Sequence, residues 1–458
     1  MEKEQVNSIL ESQRHYFVSG ATQDIAFRIN ALKQLRSLLL DHKQEIIDAL
    51  WKDFHKPACE VISSEVNFVL TELNYAIRNI RRWARPQRYP TPMVHFIARS
   101  RSIPQPYGQV LIISPWNFPV QLALVPLVGA IAAGNCVVLK TSRQVPNTSS
   151  VIEKMLGHMD KRHVAVINGD HELSDYLLDY KFDYIFFTGS PKTGSHVMKK
   201  AAANLIPVSL ELGGKNPCIV AHDARLDYAA RRIAWGKFYN GGQTCVAPDY
   251  LLIDESIKDK FIKLLVEEIR KFYGENPAAS DDFPHVINPS AAERLASLMK
   301  AGTIVTGGVV DPTNSYVAPT IICDVTPDDD IMQGEIFGPV LPVVTYKNIS
   351  EIYAIIERNP KPLALYIFTR SRKLGKEVLT RTRSGSSAIN DTVVQFASPY
   401  LPFGGVGTSG IGRYHGKHTF RTFSNNRSLL IKSNLLDIFL RYPPYSRLRE
   451  RIFEFIMR

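Results

Sequence analysis

VQLALVPLVGAIAAGNCVVL, residues 120–139, is nearly all apolar and about as long as a bilayer requires, so its reading decides between a membrane span and a buried α/β unit. Its punctuation favours the second. Pro126, Gly129 and the pair Gly134-Asn135 divide it into a helix, a tight turn and a short strand at 136–140, the pattern of a βαβ unit. Working outward, short β-rich runs recur at 108–114, 137–140, 163–167, 184–188 and 208–210, separated by helical or turn segments. Such alternation predicts a parallel sheet covered by helices. A second series, at 217–220, 250–253, 304–306 and 340–345, predicts a second α/β unit. Ahead of both, residues 1–80 read as helical, with Ile25, Ile29, Leu32, Leu35, Leu38 and Leu39 spaced for one helix face. Residues 86–106 hold five prolines and an alternating stretch at 94–103, which predicts an extended arm outside the core, of the kind that pairs with another subunit.

Composition sets the outer limits. The 458 residues are 45% hydrophobic and 22% charged, the ordinary band for a globular chain of several domains, which excludes disorder, collagen and coiled coil as the main architecture. A net charge of +11 favours anionic partners such as nucleotides, lipid head groups or nucleic acid. Nucleic acid gains no further support, because there is no zinc finger, RNA-recognition signature or basic stripe interleaved with aromatics. The cysteines, Cys59, Cys136, Cys218, Cys245 and Cys323, are odd in number and include no C-x-x-C pair, which fits neither a disulfide framework nor a metal site. Unpaired thiols suit a reducing compartment, and the start MEKEQVNSILESQRHYFVSG lacks a secretory signal, so a cytoplasmic location is expected. From Asn425 onward seven Lys or Arg face three acids, interleaved with Leu435, Leu436, Ile438, Phe439, Leu440, Ile452, Phe453, Phe455 and Ile456. Arg441 and Pro443-Pro444 break this basic tail, so docking on a partner subunit is its first reading and peripheral contact with anionic lipid its second.

Chemistry has four candidate places. Gly405-Val406-Gly407-Thr408-Ser409-Gly410 matches G-x-G-x-x-G, yet it leads into Arg413-Tyr414-His415 near the chain end and does not join a strand to a helix with an acid downstream. It reads as a closely packed glycine loop. Thr188-Gly189-Ser190-Pro191-Lys192-Thr193-Gly194 has a strand before it and a helix after it, so its glycines and free helix-start N–H groups suit a pyrophosphate; a plain turn is the other reading. It lacks the Gly-Lys-Ser/Thr ending of a P-loop, and nucleoside triphosphate hydrolysis is not supported. Cys245 closes the polar loop Asn240-Gly241-Gly242-Gln243-Thr244-Cys245, where N–H donors can stabilise a thiolate or an oxyanion; the alternative is an inert thiol, as read for the other four. Glu211, between Leu210 and Leu212 at the end of an apolar strand, gains the raised pKa of a general base by desolvation; the alternative pairs it with Lys215.

Ser114-Pro115-Trp116-Asn117-Phe118-Pro119, Phe187-Thr188-Gly189-Ser190, Leu210-Glu211-Leu212-Gly213-Gly214-Lys215, Gly242-Gln243-Thr244-Cys245, Glu335-Ile336-Phe337-Gly338-Pro339 and Pro402-Phe403-Gly404-Gly405 together resemble the motifs of the aldehyde dehydrogenase superfamily, in its order. Lys361-Pro362-Leu363-Ala364-Leu365-Tyr366, and Arg413 to Lys417 through Phe423-Ser424, further resemble its class 3 and fatty aldehyde dehydrogenase branch. The resemblance implies an α/β fold of two parallel-sheet domains with a small β oligomerisation arm. Residues 1–85 and 107–209 would form a Rossmann-like dinucleotide-binding domain, 210–395 a catalytic domain, and 86–106 with 396–458 the arm and C-terminal tail. It also implies a homodimer that oxidises an aldehyde, medium- or long-chain aliphatic or aromatic, to the acid with NAD or NADP and no metal. Cys245 is then the nucleophile that carries a thiohemiacetal and a thioester, Asn117 and the Cys245 N–H hold the oxyanion, and Glu211 activates the hydrolytic water. The cofactor residues implied are Ser114, Trp116, Lys140, Ser142, Arg143, Gly189, Ser190, Gly194, Glu335 and Phe337. Among these, Glu335 is placed on the nicotinamide ribose, Lys140 near the adenine ribose, and Gly189 to Gly194 by the pyrophosphate. Where relatives commonly carry Lys-Pro-Ser-Glu this chain has Lys140-Thr141-Ser142-Arg143, and a cation in place of the acid predicts that NADP is accepted at least as well as NAD. The rival is a cofactor-independent thiol hydrolase or thioesterase built on Cys245, which leaves the nucleotide-like residues unexplained.

Overall fold

In the computed structural model, which describes residues 3–435, 437 and 441–456, the 120–139 stretch folds as the helix Gln121–Ala133 and the strand Cys136–Lys140. Every residue of both is buried, and each buried Leu, Ile or Val contributes about 1.5–3 kcal/mol. The break falls at Gly134, whose φ of 95° is a left-handed helix end that glycine adopts without strain. Pro126 and Gly129 do not break the helix, contrary to the sequence expectation. A Cβ at Gly129 would collide with the Thr419 side chain, so glycine there permits close packing of the helix Lys417–Thr422. Pro126 forfeits one ladder bond, a loss that the wholly apolar surroundings outweigh.

Six strands form the first sheet, in the order Gly410–Ile411, Val208–Glu211, Tyr184–Thr188, Gln109–Ile113, Cys136–Lys140, Val164–Ile167. All neighbours run parallel except the Gly410–Ile411 edge. The chain starts in the middle at Gln109–Ile113, builds outward through Cys136–Lys140 and Val164–Ile167, then crosses back to Tyr184–Thr188. The order therefore reverses between Gln109–Ile113 and Tyr184–Thr188, and ligands of open α/β sheets bind beyond the carboxyl ends at such a reversal. The second sheet has seven strands, in the order Thr303–Thr306, Thr320–Cys323, Val340–Tyr346, Tyr250–Asp254, Pro217–Val220, Ala364–Phe368, Ser386–Ile389, antiparallel only at its first pair. Three of these, Thr320–Cys323, Ala364–Phe368 and Ser386–Ile389, are absent from the sequence reading. The fold is thus α/β with two parallel-rich sheets.

Helices fill the N-terminal region, among them Lys3–Val18, Ile25–Asp41, Lys43–Phe54 and Asn67–Trp83. Ile25–Asp41 buries Ile29, Leu32, Leu35 and Leu39 as its periodicity predicts. Residues Val61–Val66 form a π-helix, with i→i+5 hydrogen bonds. The proline-rich arm supplies the strands Gln87–Tyr89 and Ala98–Pro106, and Ser424–Lys432 pairs with the second along its whole length, from Ser424 opposite Pro106 to Lys432 opposite Ala98. The strand Val208–Glu211 runs across the expected boundary at 209/210, and Gly410–Ile411, expected with the arm, closes the edge of the six-stranded sheet. In the tail, Arg447–Ile456 is helical and Leu435 is exposed. Leu436, Ile438, Phe439, Leu440 and Arg458, and the side chains of Phe453 and Ile456, lie outside the described residues. Among the described residues, no helix is long and apolar enough to cross a membrane.

Candidate active site

The helix Leu226–Phe238 ends just before the loop that carries Cys245. Asn240, Gly241 and Gly242 have φ of 55°, 62° and 72°, three successive left-handed residues that only glycine, and asparagine with local hydrogen bonds, adopts readily. Side chains from elsewhere fasten this loop. Asn240 donates its backbone N–H to Glu60 Oε2 at 3.0 Å and its side-chain amide to the Asn117 and Gln243 carbonyls at 3.0 and 3.2 Å. Asn117 Nδ2 donates to the Gln243 carbonyl at 3.0 Å, which leaves its second amide hydrogen for the cavity. On the far side, buried Asn216 donates to the Cys245 and Ala247 carbonyls at 2.7 and 3.0 Å and accepts the Ala364 N–H at 2.8 Å. The Tyr366 hydroxyl donates to the Val246 carbonyl at 2.5 Å. Tyr366 ends a stretch singled out in the sequence and Asn216 directly follows one, yet nothing in their type or spacing announces this clamping role.

The N-terminal helices reach the same place. Lys56 and Glu65, both fully buried, pair at 2.7 Å. The second Glu65 oxygen accepts the Val120 and Gln121 N–H groups at 3.1 and 2.8 Å, which caps the helix that follows Asn117.

Cys245 is half-buried, with the N–H groups of Cys245 and Val246 directed at its sulfur. Burial, then the charges of Glu335 and Glu211, push its thiol up, so the resting group carries its proton. Cys136, Cys218 and Cys323 are buried in strands, and Cys59 is exposed. Glu211 ends its strand with both carboxyl oxygens buried and without a hydrogen-bond partner among the described residues. Burial raises it well above the usual carboxylate range, opposed by the charge of Arg413. It does not pair with Lys215. That ammonium sits 2.5 Å from Asp249 Oδ2 and donates to the Ile331 and Gly334 carbonyls at 2.8 Å each. Asp249 Oδ1 accepts the Ile336 N–H at 2.9 Å, so the pair fixes the turn that bears Glu335. Glu335 lies so close over Gly213 that a Cβ there would overlap its carboxylate, and burial with the Asp249 charge pushes it up to about 8. The Gly405–Gly410 run packs against this strand end, with Gly410 opposite Glu211 in register.

Asn117, Glu211 and Cys245 converge on one cavity of about 390 Å³, together with Trp116, Gly189, Ser190, Glu335 and Phe337. Ser114, Lys140, Ser142 and Arg143 line a wider cleft of about 830 Å³ beyond the carboxyl ends of Gln109–Ile113 and Cys136–Lys140. Gly194 does not join them; it faces Leu212, where a Cβ would collide. The cleft fits a dinucleotide on three counts. It lies at the reversal of strand order, the helix Pro191–Ala203 starts in its wall capped by Ser190, and the buried Thr188 Oγ1, in the wall of the smaller cavity, has no partner among the described residues. Lys140 Nζ, drawn down by burial, borders the same space.

A model of the Aldehyde dehydrogenase family matches residues 1–429. The chain belongs to the aldehyde dehydrogenase family. It is 42% identical over 433 residues to 4,4'-diaponeurosporen-aldehyde dehydrogenase of Staphylococcus aureus, covering 94% of each chain. It is 43% identical over 446 residues to aldehyde dehydrogenase family 3 member B1 of Homo sapiens, covering 97% of this chain and 95% of that one. The substrate-bound state of Staphylococcus aureus AldH superposes with a TM-score of 0.96 at 40% identity, over 98% of this chain and 99% of that one. Indole-3-acetaldehyde dehydrogenase complexed with NAD+ is a more distant neighbour, with a TM-score of 0.85 at 28% identity over 94% of this chain and 89% of that one. This aldehyde dehydrogenase is therefore an enzyme that uses NAD(P), and the match gives a cofactor-independent thiol hydrolase no support.

Proposed function

We propose that Cys245 attacks the carbonyl carbon of a medium- or long-chain aliphatic or aromatic aldehyde and that the product leaves as the carboxylic acid. The observation that carries the reading is the convergence of Cys245, Asn117 and Glu211 on one cavity that adjoins a cleft fit for a dinucleotide. The thiol proton passes to solvent as the Cys245 sulfur bonds to the carbonyl carbon, and the carbonyl oxygen becomes an oxyanion. The Asn117 amide and the Cys245 N–H donate to it, fixed in advance by the bonds to Gln243 and Asn216. Bound NAD(P) supplies the acceptor for the hydride. Cys245 then holds the acyl group as a thioester, and Glu211, ionised, takes a proton from the water that adds to it. The collapse expels the Cys245 sulfur as a thiolate, which regains a proton, and releases the acid as Glu211 gives up the proton it took.

Glu335, Phe337 and Trp116 hold the nicotinamide end; Trp116 and Phe337 meet edge to face at 5.4 Å. Ser114, Lys140, Ser142 and Arg143 hold the adenosine end, with Gly189 and Ser190 between, and exposed Arg143 pairs with a 2′-phosphate so that NADP serves at least as well as NAD. The six-stranded sheet is the dinucleotide-binding unit and the seven-stranded sheet the catalytic one. The arm built from Ala98–Pro106 and Ser424–Lys432 joins two copies in a dimer, and the tail docks there, with anionic membrane surfaces as a second contact for Arg447–Ile456. The enzyme works in the cytoplasm.

The test is growth of reduced cofactor with NAD and then NADP across aldehydes of increasing chain length, wild type against Cys245→Ala. Loss of the signal in the variant is expected. Cofactor reduction that persists without Cys245 overturns the reading.

A further inference from the structure

One buried cation has no use in that scheme. Lys237 is fully buried near the end of Leu226–Phe238, and its Nζ makes no hydrogen bond among the described residues. The backbone beneath it is fixed, because Gly236 packs so tightly on Thr392 that a Cβ would collide with that side chain. An ammonium with three donors and no acceptor is costly to bury, and burial draws this one down to about 8. The charged groups around it are Asp249, Lys215 and Glu335. Asp249 is already engaged through both oxygens, with Lys215 at 2.5 Å and the Ile336 N–H at 2.9 Å. Lys215 is engaged by Asp249 and two carbonyls. Of the two lysines, Lys237 is the one left without a partner among the described residues, while Glu335 accepts one N–H, from Gly214. The other titratable groups that face Glu335 are the Asp249 carboxylate, the Cys245 thiol, which carries its proton at rest, and the cations Lys215 and Arg294. Arg294 is exposed and spends a donor on the Ile336 carbonyl, so solvent screens it more than Lys237.

We propose that Lys237 is a positioning residue, its ammonium the counter-charge that lets Glu335 ionise and accept the ribose hydroxyls of the bound dinucleotide. This rests on the reading of Glu335 as the ribose acceptor. Burial and the Asp249 charge push Glu335 up to about 8, and the Gly214 N–H, then the charges of Lys215 and Lys237, oppose them. Only the ionised carboxylate accepts from both hydroxyls with both oxygens. Affinity for the dinucleotide therefore rises with pH as Glu335 loses its proton while Lys237 keeps its own, and removal of Lys237 moves that rise to higher pH.

The experiment measures the dissociation constant of NAD by quenching of protein fluorescence across neutral and alkaline pH, with no aldehyde present. Lys237→Met and Lys237→Gln, both neutral and close to lysine in length, are expected to shift the midpoint upward by about one unit, which is roughly tenfold weaker binding at neutral pH. Lys237→Arg is expected to keep the wild-type profile. Glu335→Gln is expected to weaken binding and flatten the profile, and Lys237→Met added to it to weaken binding no further. Weaker binding with an unmoved midpoint in the lysine variants assigns Lys237 to packing and overturns the inference. A Glu335→Gln protein that binds NAD like wild type overturns the ribose reading itself, and does so with Lys237 intact.

Discussion

The cavity around Cys245 and the cleft beyond Lys140 open from the same sheet, and they are held in different ways. Around Cys245 the wall is backbone, tied down by buried amides: Asn117 on the Gln243 carbonyl, Asn216 on the Cys245 carbonyl, Asn240 on both sides of the loop. Along the cleft the wall is side chains, including the exposed Arg143 and the Lys140 ammonium, over a volume about twice as large. Rigid donors suit a charge that appears only in the transition state, since nothing has to reorganise when it forms. Cationic side chains suit recognition of a ligand that is charged before it arrives. Substitutions in the first region should therefore act on kcat, and those in the second on the choice between cofactors.

The largest effect is expected at Glu211. Glu211→Gln should lower steady-state kcat by about 10²–10⁴-fold while a rapid burst of reduced cofactor survives, because the thioester forms and is not hydrolysed. In the wild type the sign follows from burial. Protonated Glu211 cannot take a proton from water, so kcat falls as pH falls, with the acid limb above the ordinary glutamate range near 4.3. A limb at that ordinary value would place Glu211 outside the chemistry. Next is Asn117→Ala, expected to lower kcat by about 10²–10³-fold with little change in KM for the cofactor. Asn216→Ala sharpens the comparison, since this side chain never meets the substrate. It should cost about 1–3 kcal/mol in denaturant unfolding and lower kcat by misplacing Cys245, and a loss of stability without a loss of kcat would separate the clamp from the chemistry. The smallest effect belongs to the cleft. Arg143→Glu should move the NAD-to-NADP ratio of kcat/KM toward NAD by about tenfold with kcat for NAD unchanged, and an unmoved ratio would show Arg143 pointing into solvent.

The α/β class was legible because β-rich runs and helical runs alternate at regular intervals. The strands that escaped are informative. Ala364–Phe368 is buried at every position and so shows no period of two, while Ser386–Ile389 carries polar residues on an edge. Of the site, Cys245 and Glu211 were readable because each is the wrong residue type for its neighbourhood, a thiol among polar glycines and an acid among leucines. Asn216, Asp249 and Lys237 carry no such mark. Their meaning lies in which carbonyl or carboxylate the fold brings within reach, and no local spacing encodes that.

Glu60 and Glu65 hold the two segments that carry Cys245 and Asn117 to their common cavity, one through Asn240 and the other through Val120 and Gln121. In an α-helix, residues five apart point about 140° away from each other. The π-helix Val61–Val66 winds a fifth residue into the turn and brings such a pair toward one side. A single residue of extra helical winding thus turns a stretch of N-terminal scaffold into a two-pronged brace. Deletion of one residue there would leave Cys245, Asn117 and Glu211 in the sequence and pull the two supports of their cavity apart.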